Sequence, residues 1–173
     1  MPSNVEIKAR VTNMAELTKR AKELSGTEGE LLQQEDTFFF CQNGRLKLRI
    51  VQGGQSELIF YNRPDQAGPK LSEFHKTSIT DSENLKKALS LALGVRGEVR
   101  KTRYLYMVGQ TRVHVDQVDN LGNFMELEVN LENGQSPEEG QAIANDLMQK
   151  LGVKEQDLLT CAYMDLLLKE KSG

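Results

Sequence analysis

The chain has 173 residues, 27% of them charged and 38% hydrophobic, which suits one globular domain with a buried core and excludes a disordered polyelectrolyte. A formal net charge of −3 gives no general attraction to nucleic acid or to an anionic membrane surface. No apolar run approaches a membrane span, no apolar leader core is visible, and Cys41 and Cys161 are too few for a disulfide framework or zinc site, so a cytoplasmic protein is expected.

Residues 4–11 alternate strictly. Val5, Ile7, Ala9 and Val11 share one face, and Glu6, Lys8 and Arg10 the other, the pattern of a half-buried strand. Thr12 and Asn13 can cap a helix with Glu16 near its first turn, Leu17, Ala21 and Leu24 as its apolar stripe and Gly26 as its stop. Residues 27–32 read as a polar connection. Strands follow over 36–41 and 45–51, joined by the Gln42–Asn43–Gly44 turn signal, then over 56–63 and 71–79 around a Pro- and Gly-containing loop at 64–69. Thr80 and Glu83 have capping-box spacing before Leu85, Ala88, Leu89 and Ala92, and Gly94 ends that helix. Three long strands are predicted over 98–108, 111–118 and 123–131. A second capping box at Ser136–Glu139, with Pro137 at the first helical position, opens a helix striped by Ile143, Leu147, Met148 and Leu151. A last helix is predicted over 158–169. The links are hairpin-short, so the expectation is an α+β protein with about eight mostly antiparallel strands in one domain over 1–173.

The polar faces of these strands are almost wholly ionisable and sorted by sign. Arg45, Lys47 and Arg49 are basic, as are Lys101 and Arg103, while Glu126 and Glu128 are acidic. The ordinary alternative is an open sheet with one solvated face. Eight strands can instead close into a barrel, which removes exposed edges and turns the charged face into a lumen. Such a lumen is costly if dry and unpaired, and makes sense if it holds water, metal ions and a polyanion. Lys8, Arg10, Arg45, Lys47, Arg49, Arg63, Lys76, Lys101, Arg103 and Arg112 are the inward bases; Glu6, Asp116, Glu126 and Glu128 are the inward acids. Base excess suits phosphates, and an acid cluster suits Mg²⁺ or Mn²⁺; together they suit phosphoryl transfer. A purely structural network of Glu126 and Glu128 with Lys8 and Arg10 is the competing reading. His75 reads as a surface residue, His114 as a ligand contact or structural bridge, and Cys41, Cys161, Tyr163 and Phe38–Phe39–Phe40 as packing.

Several segments carry a resemblance along nearly the whole chain. They are Val5–Glu6–Ile7–Lys8, Arg45–Leu46–Lys47–Leu48–Arg49, Tyr61–Asn62–Arg63–Pro64–Asp65, Lys101–Thr102–Arg103, His114–Val115–Asp116, Leu121–Gly122–Asn123–Phe124–Met125–Glu126–Leu127–Glu128 and Ala162–Tyr163–Met164–Asp165–Leu166–Leu167. In this order they resemble the CYTH superfamily of triphosphate tunnel metalloenzymes, which includes class IV adenylyl cyclases and thiamine triphosphatases, with the class IV branch the nearest in look. The resemblance implies a closed eight-stranded antiparallel tunnel, with helices packed outside, that binds a triphosphate and divalent cations. By that match Glu6, Lys8 and Asp116 are catalytic. Glu6, Asp116, Glu126 and Glu128 are the ligands of Mg²⁺ or Mn²⁺. Arg45, Lys47, Arg49, Arg63, Lys101 and Arg103 match its phosphate-binding bases, and Lys8, Arg10 and Lys76, inward by alternation, are expected to hold the substrate with them. One position departs from the signature Glu-x-Glu-x-Lys: its first Glu is Asn4 here. The expected activity is triphosphatase, with ATP cyclisation to cyclic AMP and pyrophosphate as the alternative and a non-catalytic polyphosphate binder as the rival. The expected partner is a small-molecule triphosphate, with neither nucleic acid nor membrane, in a monomer or homodimer.

Overall fold

A computed structural model describes residues 3–64, 66–160 and 162–172; Asp65 and Cys161 lie outside the described residues, and with them the packing role expected of Cys161. The strands are β1 (Ser3–Arg10), β2 (Glu30–Phe39), β3 (Arg45–Val51), β4 (Ser56–Asn62), β5 (Lys70–Ile79), β6 (Val95–Val108), β7 (Thr111–Val118) and β8 (Gly122–Asn130). They close into one antiparallel eight-stranded barrel, as the sequence predicts; the strand order is β1-β5-β4-β3-β2-β6-β7-β8.

Closure follows from the alternation. The apolar residues of β1, β7 and β8 turn outward, where Val5, Ile7, Ala9, Val113, Val115, Met125 and Leu127 are all but inaccessible. Two helices cover them: α1 (Met14–Ser25), through Leu17 and Ala21, and α3 (Pro137–Leu151), through Ala144, Leu147 and Leu151. Asn13 caps α1 by accepting from the Glu16 amide, and Ser136 caps α3 by accepting from that of Glu139. Gly140 lets α3 lie directly on the barrel, because a Cβ there would stand 2.6 Å from Leu131 and 2.7 Å from Val5. Among the described residues no helix is long and apolar enough to cross a membrane.

Several boundaries differ from the sequence expectation, and for the strands tertiary pairing overrides local signals. β2 starts at Glu30, inside the expected polar connection, since the long β6 offers partners from Glu30↔Leu105 down to Phe39↔Val95. The cap of α2 (Ser82–Leu93) is Asp81, which accepts from the Asn84 amide, and not Thr80. The last helix, α4, runs Tyr163–Ser172. β5 meets β1 only as far as Glu6↔Lys70, so the chain beyond uses the open edge of β1: Leu158 bridges Ala9, and the Leu159 amide donates to the Lys8 carbonyl.

A second apolar cluster lies inside the barrel. Tyr163 and Met164 of α4 pack there against Phe38, Ile59, Tyr61, Val99, Val118 and Phe124. The first turn of α4 thus closes one end of the lumen, and Ala162 and Tyr163 line its cavity.

Candidate functional site

The inward charges meet in one cavity with two differently built walls. One wall is basic and is organised by Asp36, a residue absent from the sequence-predicted site. Asp36 of β2 is paired in register with Arg49 of β3. The Arg49 guanidinium donates to both of its oxygens at 2.8 Å, Lys101 Nζ donates at 2.8 Å, and Lys47 Nζ stands 3.8 Å away. Burial alone would raise the Asp36 carboxyl, but Arg49, Lys101 and Lys47 overcome it and hold the group well below its ordinary value. Burial pulls the Lys101 ammonium down to about 8 despite Asp36. Lys47 is also pushed well below its usual value, by burial and then by Arg49.

The opposite wall is acidic and lies on β1, β7 and β8. Their registers place Glu6 beside Glu128, Lys8 beside Glu126, and His114 beside Glu126. Lys8 Nζ is 3.2 Å from Glu126 Oε1 and 3.8 Å from the centre of the Tyr163 ring. Arg63 reaches across from the end of β4 and donates to Glu6 at 2.7 Å. Burial, reinforced by Glu128 and Glu126, raises the Glu6 carboxyl even though Arg63 opposes it. For Glu126 the balance is opposite: burial raises it, but Lys8, His114 and Arg103 together hold it well below the carboxylate norm. Glu128 is held down to about 2: burial and the neighbouring Glu126 raise it, but His114, Lys76 and Arg103 together overcome them.

Most of the sequence-predicted residues come together. Glu6, Lys8, Lys47, Arg49, Arg63, Lys76, Lys101, Arg103, Glu126 and Glu128 line the same cavity. Three do not sit as expected. Arg10 ends its strand exposed, over the Phe124 ring at 5.4 Å, outside the cavity lining. Arg45 stands at the closed end, where its guanidinium donates to both oxygens of Asp165 on α4, at 3.2 and 2.8 Å. Asp116 is fully buried behind the lining: Arg103 donates to its two oxygens at 2.7 and 2.8 Å, and the Tyr163 hydroxyl donates to Oδ2 at 2.8 Å. With both oxygens engaged, Asp116 is a poor metal ligand; it orients Arg103 and anchors α4.

Donor chemistry at the acidic wall fits a divalent cation. Ligand atoms of His114, Glu126 and Glu128 all lie within 4.8 Å of one another, with His114 Nδ1 3.7 Å from Glu126 Oε2 and Nε2 3.6 Å from Glu128 Oε1. Asn4, where the signature has Glu, lines the cavity with a buried Oδ1 that lacks a partner. Asp36 could have been found from the sequence. The turn at residues 42–44 sets 36 opposite 49, which puts an acid among bases.

A CYTH domain family model matches residues 3–163. A Methanocaldococcus jannaschii protein described as a candidate adenylate cyclase is 23% identical over 176 residues, an alignment spanning 94% of this chain and 97% of that one. A solved Pyrococcus horikoshii OT3 protein superposes with a TM-score of 0.82 at 27% identity, covering 94% of this chain and 98% of the other. A Vibrio parahaemolyticus candidate adenylate cyclase has the same fold, with a TM-score of 0.78 at 21% identity over 95% and 97% of the two chains.

Proposed function

The chain belongs to the CYTH domain family, and from that premise we propose that it is a metal-dependent enzyme that hydrolyses a triphosphate held along the barrel lumen. The observation that carries this reading is that the Asp36-centred group of bases and the carboxylates Glu6, Glu126 and Glu128 line one cavity, with His114 buried beside Glu126 and Glu128. Arg49, Lys101 and Lys47, with Lys8, Arg63 and Arg103, spread positive charge along the path of a phosphate chain. Lys47 is the least committed to Asp36, at 3.8 Å, and turns to a phosphate oxygen at the smallest cost. Glu6, with its carboxyl raised by burial, is suited to take a proton from an attacking water. A divalent cation held by Glu126, Glu128 and His114 would supply charge neutralisation at the reacting phosphate.

Cyclisation of ATP is the second reading. Phe38, Tyr61 and Phe74 line the same cavity and offer an apolar seat for a base, and the M. jannaschii relative is described as a candidate adenylate cyclase. The discriminating experiment is a substrate panel with Mn²⁺ or Mg²⁺, using ATP, other nucleoside triphosphates, thiamine triphosphate and inorganic tripolyphosphate. Orthophosphate release identifies a triphosphatase and names its substrate. Pyrophosphate with cyclic AMP identifies a cyclase. Tight binding with no product under either metal overturns both and leaves a polyphosphate binder.

A further inference from the structure

We propose that Asn4 and Ser72 form a neutral hydrogen-bonding corner that receives the nucleoside end of a nucleoside triphosphate, so that this substrate class is taken in preference to inorganic tripolyphosphate. The inference rests on the triphosphate reading above and holds for hydrolysis and cyclisation alike.

Charged residues make up most of the cavity lining, but one sector of it is neutral. That sector is continuous across the neighbouring strands β4, β5 and β1. Tyr61 of β4 pairs with Phe74 of β5, Ser72 is the next residue of β5 on the same face, and Asn4 of β1 pairs with Ser72. Each of them lines the cavity. Directly opposed residues of an antiparallel pair project to one face with Cβ atoms about 4.5–5.5 Å apart, so one ligand group can reach both the Asn4 amide and the Ser72 hydroxyl. Phe74 is half-buried, which leaves part of its ring to the cavity.

The protein does not satisfy this corner by itself. Asn4 is 4% exposed and Ser72 1%. Asn4 Oδ1 is buried and has no hydrogen-bond partner among the described residues, a state that nearly all buried polar atoms avoid. The next inward residue of β1, Glu6, is committed to Arg63 at 2.7 Å.

Charge decides what such a corner takes. A carboxylate at position 4, as in the signature, would stand one inward position from Glu6 and call for a cation. The Asn4 carboxamide carries no charge and offers a donor and an acceptor together, as does the Ser72 hydroxyl. A phosphate chain presents acceptors and negative charge, and Lys47, Arg49 and Lys101 serve it elsewhere in the lumen. A nucleoside presents what the corner lacks. Its hydroxyls and base edge both give and accept hydrogen bonds, and its base has a flat face for the Phe74 ring.

The test is calorimetric titration of the full chain with ATP and with tripolyphosphate in EDTA, so that no turnover intervenes. ATP should bind about tenfold more tightly, from hydrogen bonding and stacking at the nucleoside, although tripolyphosphate carries the greater charge. Asn4→Ala and Ser72→Ala should each lower the ratio of ATP to tripolyphosphate affinity by about 2–10-fold, the effect of one neutral hydrogen bond. A change in folding or in lumen charge would move both ligands together and leave that ratio alone. Tripolyphosphate binding as tightly as ATP, or an unaltered ratio in either variant, overturns the assignment and leaves the triphosphate reading standing. Binding of neither ligand overturns both. Should Asn4→Ala fail to fold by circular dichroism, Ser72→Ala and the wild-type ratio decide.

Discussion

Arg103 and Asp116 face each other across the β6–β7 ladder and clasp at 2.7 and 2.8 Å, both all but sealed from solvent. The Tyr163 hydroxyl closes the arrangement on the Asp116 side, which ties the C-terminal helix to the barrel wall. Asp116→Asn keeps the shape and removes the charge, leaving a buried guanidinium uncompensated. The expected loss is about 3–5 kcal/mol of stability, read by urea denaturation at neutral pH. Tyr163→Phe removes one hydrogen bond to a charged group and should cost about 1.5–3 kcal/mol. If Asp116→Asn instead leaves stability intact and abolishes Mn²⁺ binding, Asp116 is a ligand and not an anchor.

Strand faces were legible in the sequence where their partners were not. Residues 4–11 alternate because the outer wall must meet helices while the inner wall stays polar, and that pattern needs no knowledge of neighbours. Asp36 was obscured by Phe38–Phe39–Phe40. There both faces of β2 are apolar, since α4 enters the barrel and brings Tyr163 and Met164 against Phe38. Arg10 and Arg45 lie at strand ends, where alternation still predicts a face but the lumen has ended. Asp116 lies behind the cavity lining; its commitment to Arg103 depends on β6–β7 register, which a list of inward charges does not contain.

Lys101 gives the lumen a pH dependence. Its ammonium titrates at about 8, pulled down first by burial. Below that pH it carries the charge a phosphate oxygen needs; above it the charge is lost. Tripolyphosphate affinity, measured calorimetrically in constant ionic strength, should therefore weaken as pH rises through about 8. Lys101→Met should bind more weakly at pH 7 and lose that step. A step that persists in the variant would assign the titration to another group.

Asp36→Asn tests what organises the basic wall. The substitution leaves Arg49, Lys101 and Lys47 facing one another without their shared counter-ion. Stability should fall by about 3–5 kcal/mol. Asp36 also opposes the effect of burial on Lys101, so the pH step in tripolyphosphate binding should move below its wild-type position. An unmoved step would show that Asp36 does not govern the Lys101 charge.

Acid should unfold the protein through the same cavity. Glu128 in the folded chain sits at about 2 against an ordinary 4.5, and Asp36, Asp116 and Glu126 are likewise depressed. A depressed carboxyl contributes stability that is full above its unfolded value and is lost as pH falls through its folded one. Urea midpoints should thus decline between pH 4.5 and about 2. Glu6, which is raised, has the opposite sign: its contribution fades as pH rises through its folded value. Glu128→Gln should flatten part of the acid decline, and an unchanged slope would place the loss elsewhere.

The fold and the site meet at Gly140. Alanine in a helix is intrinsically better than glycine by about 1 kcal/mol, so Gly140→Ala would be stabilising if α3 stood clear of the barrel. Its Cβ would instead lie 2.6 Å from Leu131 Cδ2 and 2.7 Å from Val5 Cγ2. Leu131 can yield at its flexible end, but Val5 is a β-branched residue at the centre of a strand paired on both sides. Overpacking of this kind costs about 1–3 kcal/mol, which outweighs the propensity gain. The helix must then back away from β1, the strand that carries Glu6 and Lys8 into the lumen. A lower urea midpoint together with weaker tripolyphosphate binding is the expected outcome. A variant that is more stable than the parent would show that α3 does not fix the position of β1.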